Sequence, residues 1–173
     1  MKNPILLALI ASAAVCAAAF ANTLTFDAPF ASGTTFFTGE PDQVTITYSG
    51  DNTGVFADDA GSVAVFPNDP TRPFFSVGKT GEVTFKYKNV QSFLALDWGT
   101  QDDYNRIELF LGLNPLPVQT FFGSGTGSTA FFFSTATVPF DTIKFYNVPA
   151  TNSFEIDNVT TVSRDTRSVA EAK

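Results

Sequence analysis

Over several short stretches the chain places apolar residues at every second position. Val44, Ile46 and Tyr48 alternate with Thr45 and Thr47, and Val83, Phe85 and Tyr87 alternate with Thr84, Lys86 and Lys88. Ile107, Leu109 and Leu111 alternate with Glu108 and Phe110, and Ile143 and Phe145 with Lys144 and Tyr146. Successive side chains of a strand point to opposite faces, so each stretch predicts a strand with one buried and one solvated face. Apolar runs at Val63–Phe66, Phe74–Val77, Phe93–Trp98 and Phe131–Phe133 predict strands buried on both faces or lying at a sheet edge. Helical spacing, about 3.6 residues, is nearly absent.

Turn-forming residues separate these stretches: Ser49-Gly50-Asp51-Asn52, Asp58-Asp59-Ala60-Gly61, Pro67-Asn68-Asp69-Pro70, Gly78-Lys79-Thr80-Gly81, Asn114-Pro115 and Gly123 to Gly127. Lys79-Thr80 between two glycines predicts a tight hairpin link. Gly123 to Ser128 lacks the Gly-Lys-Ser/Thr ending of a phosphate loop and reads as a flexible connection. The pattern predicts an all-β protein, an antiparallel β-sandwich of jelly-roll type with about ten short strands.

The first 21 residues differ from the rest. Met1-Lys2-Asn3 carries one positive charge, Pro4 to Phe20 is mostly Ile, Leu, Ala and Val, and Ala19-Phe20-Ala21 is the small-x-small pattern of a signal-peptide cleavage site. Cleavage is expected after Ala21, with export to the periplasm or the medium. The apolar run is short for a membrane span, and no transmembrane segment is expected in the mature chain. Cys16 raises a lipoprotein reading, which Ala13-Ala14-Val15 before it fits poorly. The expected organisation is a signal peptide at 1–21, a β-sandwich at 22–162 and a polar tail at 163–173 lying outside the fold as a disordered or frayed segment.

Composition narrows the chemistry. The chain has 20 Phe, one Trp, one Cys and no His, with 10 Lys+Arg against 17 Asp+Glu for a net charge of −7. Lack of His excludes histidine-based triads, dyads and metal ligands. The lone thiol lies in the leader, so no disulfide or thiolate zinc site is expected in the mature domain. An acidic chain without Lys/Arg clusters is not expected to bind nucleic acid.

Two segments carry a family resemblance. Leu96-Asp97-Trp98-Gly99-Thr100-Gln101-Asp102-Asp103-Tyr104-Asn105-Arg106-Ile107-Glu108-Leu109-Phe110 resembles a Trp-Gly-Ser-x-Asp-x-Tyr-Asn-x-Ile-x-Phe segment of bacterial exported proteins of the PEP-CTERM, exosortase-dependent surface class. Phe154-Glu155-Ile156-Asp157-Asn158-Val159 resembles the strand that closes those domains and many carbohydrate-binding-like jelly rolls. Members of that class end in a Pro-Glu-Pro box, a hydrophobic helix and a basic cluster. Residues 163–173 carry none of these, so the expectation is free secretion or periplasmic residence. The resemblance also implies a structural calcium ion shared by an acid near the start and an acid of the closing strand, here Asp27 and Asp157. Two carboxylates fall short of calcium's six to eight oxygens, so backbone carbonyls would complete the shell.

Two readings of the first segment follow from the residues themselves. In one, Trp98 or Tyr104 is a stacking platform for a sugar, and Asp97, Asp102, Asp103 and Asn105 bond its hydroxyls. In the other, Trp98 anchors the core and Asp102-Asp103-Tyr104-Asn105 is a turn held by its own side chains. In the closing strand, alternation places Phe154, Ile156 and Asn158 on one face and Glu155 and Asp157 on the other. If Phe154 and Ile156 face the core, Asp157 faces outward or toward the edge.

Glycoside hydrolysis needs only two carboxylates and is the one enzymatic class kept open. Glu155-Ile156-Asp157 superficially matches a Glu-x-Asp-x-x-Glu signature but lacks the third acid, and Asp97 with Asp102 or Asp103 has no motif behind it. The expected function is therefore non-catalytic: a structural or adhesive role in the envelope or matrix, with polysaccharide or a cell-surface glycan as partner. A self-associating surface subunit is the third reading.

Overall fold

Strands alone make up the regular structure of the computed structural model, which describes residues 20–37, 42–56, 72–99, 101–125, 130–134, 138–148 and 152–163. In chain order they are β1 (Phe20–Leu24), β2 (Thr34–Phe37), β3 (Gln43–Ser49), β4 (Gly54–Phe56), β5 (Phe74–Val77), β6 (Glu82–Trp98), β7 (Asn105–Phe110), β8 (Gln119–Phe122), β9 (Ala130–Ser134), β10 (Phe140–Asn147) and β11 (Phe154–Ser163). Every strand pair is antiparallel. The expected strands at Phe74–Val77 and Phe131–Phe133 are present as β5 and within β9. The strand expected at Val63–Phe66 and the turns at 58–61 and 67–70 lie outside the described residues. Among the described residues no helix is long and apolar enough to cross a membrane.

One long strand organises the sandwich. The 17 residues of β6 replace the two separate strands expected around Val83–Tyr87 and Phe93–Trp98. The first half of β6 pairs with β3 and β10, giving a layer in the order β2-β3-β6-β10-β7-β8. Its second half pairs with β11 and β9, giving the other layer, β4-β5-β11-β6-β9, with β1 also lying on β11. The two layers are thus one hydrogen-bonded network folded at β6.

The fold shows in the burial of β6. Val83, Phe85 and Tyr87 are buried in the first half, but Leu94, Leu96 and Trp98 in the second, so the inward set changes from odd to even positions. A strand can change parity only where its pairing slips. The register slips here against both neighbours, between Lys86 and Gln91 along β10 and between Gln91 and Phe93 along β11. At that bend the Gln91 side-chain amide donates to buried Asp42 at 2.7 Å and to the Asn89 carbonyl at 2.9 Å. The Gln43 backbone N–H donates to the other Asp42 oxygen at 3.0 Å, so a carboxylate taken out of water has amide partners. Burial, with the Asp42 charge adding and a Thr161 hydrogen bond opposing, pushes the neighbouring Tyr87 hydroxyl well above the ordinary tyrosine value.

Phenylalanines fill the space between the layers. Phe26, Phe75, Phe85 and Phe145 are buried, with Phe26–Phe75 and Phe85–Phe145 meeting edge to face at 5.3 and 5.2 Å between centroids. This is the core that alternation predicted.

Gly78 to Gly81 form a tight turn, with the Gly81 N–H donating to the Gly78 carbonyl at 2.8 Å, but not a hairpin. β5 and β6 both flank β11, so the turn carries the chain from one layer to the other. β1 spans Phe20–Leu24, so the expected cleavage position after Ala21 falls within it. Ser163, expected to open the tail, is buried at the end of β11.

Candidate functional site

The closing strand does not alternate as its sequence suggests. Asp157 faces Asp97 of β6, yet the next ladder pair is Thr160 with Ala95, so β11 holds one extra residue. That residue is taken up at Asn158, whose φ of +47° lies in the left-handed region. Asn enters this region at lower cost than most non-glycine residues. The bulge removes Asn158 from the core face and sends Val159 inward in its place, 1% exposed. Asn158 instead donates its side-chain amide to Asp97 at 2.8 Å.

This geometry builds a polar cluster on the face of β11 and β6 away from Ile156. Asp97 and Asp157 stand directly across the ladder, where two like charges repel. Arg72, just before β5, resolves the conflict. Its Nε donates to Asp157 at 2.7 Å and its Nη2 lies 2.6 Å from Asp157 and 2.5 Å from Asp97. The Phe26 backbone N–H also donates to Asp157, at 3.3 Å. Burial disfavours the Arg72 charge, but hydrogen bonds to both carboxylates outweigh it, so its pKa is raised.

Asp157 thus points away from Ile156, as expected, yet is buried because a guanidinium covers it. The two residues expected to share calcium have different partners: Asp157 meets Arg72, while exposed Asp27 accepts from the Thr25 hydroxyl at 2.8 Å. Among the described residues no group of three or more His, Cys, Asp or Glu is placed to hold a metal ion. Glu155 is buried on the same strand as Asp157. Nothing local in the sequence marks Arg72. Its partners lie 25 and 85 positions away, and only the shortage of cations in an acid-rich chain hints that one is committed to paired acids.

Replacing Arg72 by methionine leaves two facing carboxylates uncompensated. The expected loss is about 2–3 kcal/mol, below the full cost of breaking a buried pair because Arg72 is partly exposed. R72M should therefore lower the urea midpoint, and R72M with Asp97→Asn should recover much of the difference. If R72M is as stable as the parent, the clamp contributes nothing.

The residues expected to bind sugar divide. Trp98 is 1% exposed and sits in the core, so it is not a stacking platform. Asn105 is fully buried and holds the turn. Its Oδ1 accepts from the Asp102 N–H at 2.8 Å and its Nδ2 donates to Asn147 at 2.9 Å. Asn147 in turn donates to the Gly78 carbonyl at 3.0 Å, so two amide side chains tie the loop before β7 to the crossing turn. Asp97 belongs to the Arg72 cluster. Of the six, Asp102, Asp103 and Tyr104 remain together on the loop, Asp103 exposed and the other two half-buried. The Tyr104 hydroxyl donates to Asp102 at 2.5 Å. Burial, then that hydrogen bond and the Asp102 charge, push Tyr104 up to about 12, with an Asn152 hydrogen bond opposing.

That loop borders a surface that periodicity alone did not single out. Pairing across the β2-to-β8 layer aligns Phe122, Arg106, Tyr146, Glu82 and Ser49 in one outward row. A second row aligns Thr120, Glu108, Lys144, Thr84 and Thr47. Arg106 lies 4.6 Å over the Phe122 ring, Lys144 pairs with Glu82 at 3.0 Å and Lys86 with Asp141 at 2.7 Å. Burial alone would raise the Asp141 carboxyl, but hydrogen bonds from Lys86, Thr142 and the Gly112 N–H bring it below the ordinary aspartate value.

No family model matches the chain. No curated protein matches it either. A solved structure, that of a family two carbohydrate esterase from Cellvibrio japonicus, is similar over 70% of this chain with a TM-score of 0.34 and 8% identity. The match spans 34% of that protein.

Proposed function

We propose that this is an exported, non-catalytic β-sandwich protein with a structural or adhesive role outside the cytoplasm, and that its molecular activity is glycan binding on the outer face of the β2-to-β8 layer. The observation that carries the reading is the outward row Phe122, Arg106, Tyr146 and Glu82. It interleaves aromatic rings with charged donors and acceptors across a broad sheet surface. Rings stack on the apolar faces of sugars, and fixed donors and acceptors take their hydroxyls. Asp103 and Tyr104 form the rim of that surface, since Arg106 donates to the Asp103 carbonyl at 2.5 Å. The carboxylates Asp97 and Asp157, clamped by Arg72, serve the fold in this reading, which disfavours hydrolysis. The resemblance to exosortase-dependent surface proteins agrees with an extracellular role.

Affinity electrophoresis through gels containing soluble polysaccharides tests this. The parent chain should be retarded by at least one of them. Arg106→Ala and Tyr146→Ala should each weaken retardation about tenfold, equivalent to the ~1.5 kcal/mol of one hydrogen bond to a charged group. Equal retardation of parent and variants would exclude this face, and release of reducing ends would replace binding with catalysis.

A further inference from the structure

The two edges of the larger layer resemble each other. β2 reads Thr34-Thr35-Phe36-Phe37 and β8 reads Gln119-Thr120-Phe121-Phe122. Each is uncharged, each turns its first Phe toward the core, and each leaves its second Phe in solvent, Phe37 at 74% and Phe122 at 64% exposure. Among the described residues β2 pairs only with β3, and β8 only with β7. Exposed edges are ordinarily blunted by charge because unpaired backbone groups recruit another strand. Neither of these carries a charge.

The hydrogen-bonding direction of each edge follows from its neighbours. The Ile46 carbonyl accepts from the Gly33 N–H at 2.8 Å, so Ile46 faces β2. Thr35 lies opposite Thr45, one position on, and therefore turns its N–H and C=O away from β3, as Phe37 does. The Asn105 carbonyl accepts from the Gly123 N–H at 3.2 Å, so by the same alternation Thr120 and Phe122 turn their backbone groups away from β7.

The layer contains six strands, each antiparallel to its neighbours, in the order β2-β3-β6-β10-β7-β8. In an even, alternating set the first and last strands run in opposite directions. A second copy that continues the layer at its edge, rotated by the accumulated twist of the sheet, therefore sets its β2 antiparallel to β8 of the first. One register that keeps inward residues facing inward pairs Phe121 with Phe36, Thr120 with Phe37 and Phe122 with Thr35. In it the backbone groups of Thr120, Phe122, Thr35 and Phe37 meet one another. Each exposed Phe then covers a Thr of the other copy, a favourable cross-strand pair.

We infer that the partner of these edges is a second copy of this chain, joined head to tail from β8 to β2, so that the larger layer continues from molecule to molecule. Such a contact is heterologous: each added copy leaves one β2 and one β8 edge free, so the assembly lengthens copy by copy with the twist of the layer. It extends the structural role proposed above and does not depend on glycan binding.

Sedimentation velocity of the purified chain without glycan, with Phe37→Lys and Phe122→Lys variants, tests it. Both substitutions fall at exposed positions, and circular dichroism confirms that the variants fold. The parent should form a ladder of species that lengthens with concentration. Each variant alone should sediment as a monomer, because one of its two edges is blocked. Their equimolar mixture should form a dimer of twice the monomer mass through the two intact edges. A parent that stays monomeric at all concentrations, or variants that assemble like the parent, would overturn the inference. Dimers of either variant alone would show like-with-like edge pairing and overturn the head-to-tail arrangement. Glycan retardation in the presence or absence of assembly separates the two readings.

Discussion

Replacing Gly78 by alanine is expected to destabilise the protein by about 4 kcal/mol or more, enough to consume much of the stability of an ordinary domain. A Cβ on Gly78 would lie 1.8 Å from the backbone carbonyl oxygen of Asp51. No rotamer relieves such a clash, because both partners are main chain. The Asp51 turn also cannot withdraw cheaply. A Cβ on Gly50 of that turn would itself meet Gly81 at 2.6 Å, and Thr53 accepts from the Gly78 N–H at 3.0 Å. The Gly78 carbonyl is held by Asn147, which is bonded to Asn105, so displacing the crossing turn disturbs the loop before β7 as well. Gly112→Ala is the control. It has φ +64° but open space around it, so only backbone strain of about 1–2 kcal/mol is expected. Urea denaturation followed by far-ultraviolet circular dichroism compares the two. Equal stability of G78A and the parent would mean that the two turns do not pack as described.

The second large effect is expected at Trp98. Its indole is buried where β6 faces Ile156 of β11 and Ala130 of β9. Trp98→Ala should cost about 3–5 kcal/mol, as for other large-to-small core changes, while Trp98→Phe should retain much of that. A stacking platform would behave in the opposite way, with W98A folding normally and losing only ligand. Because the chain has a single Trp, its intrinsic fluorescence reports this site alone. Emission should be blue-shifted in the folded state and should move to the red on unfolding. A red emission in the native protein, or a W98A variant with unchanged stability, would return the indole to the surface.

The residues that behaved as their local pattern predicted are those whose environment is set by one neighbour on each side. Val44 and Ile46, Val83 and Phe85, Ile107 and Leu109, and Ile143 and Phe145 are all buried on one face of their strands. Failures came where a strand leaves ideal pairing. Asn158 read as a core position because alternation assumes that no residue is inserted, and a one-residue bulge reverses every side chain after it. The bend in β6 is hidden in a similar way, since Asn89 to Ser92 separate two stretches that each read as a strand of its own. At the start of β7, Asn105 stands out by its sequence context but its role is open there, because the same amide serves equally to bond a sugar or to cap a turn.

By itself, then, the sequence determined that this is an antiparallel β protein with a phenylalanine core and without histidine chemistry. Those properties follow from composition and from period-two placement, which each stretch of chain carries locally. Tertiary structure alone decided which acids are spoken for, which face is open and which edges match. Arg72 meets Asp97 and Asp157 only because β5, β11 and β6 are neighbours in space, and the row from Phe122 to Glu82 exists only because four strands pair in one register. Such contacts are set by long-range pairing, and no local window of sequence contains both partners.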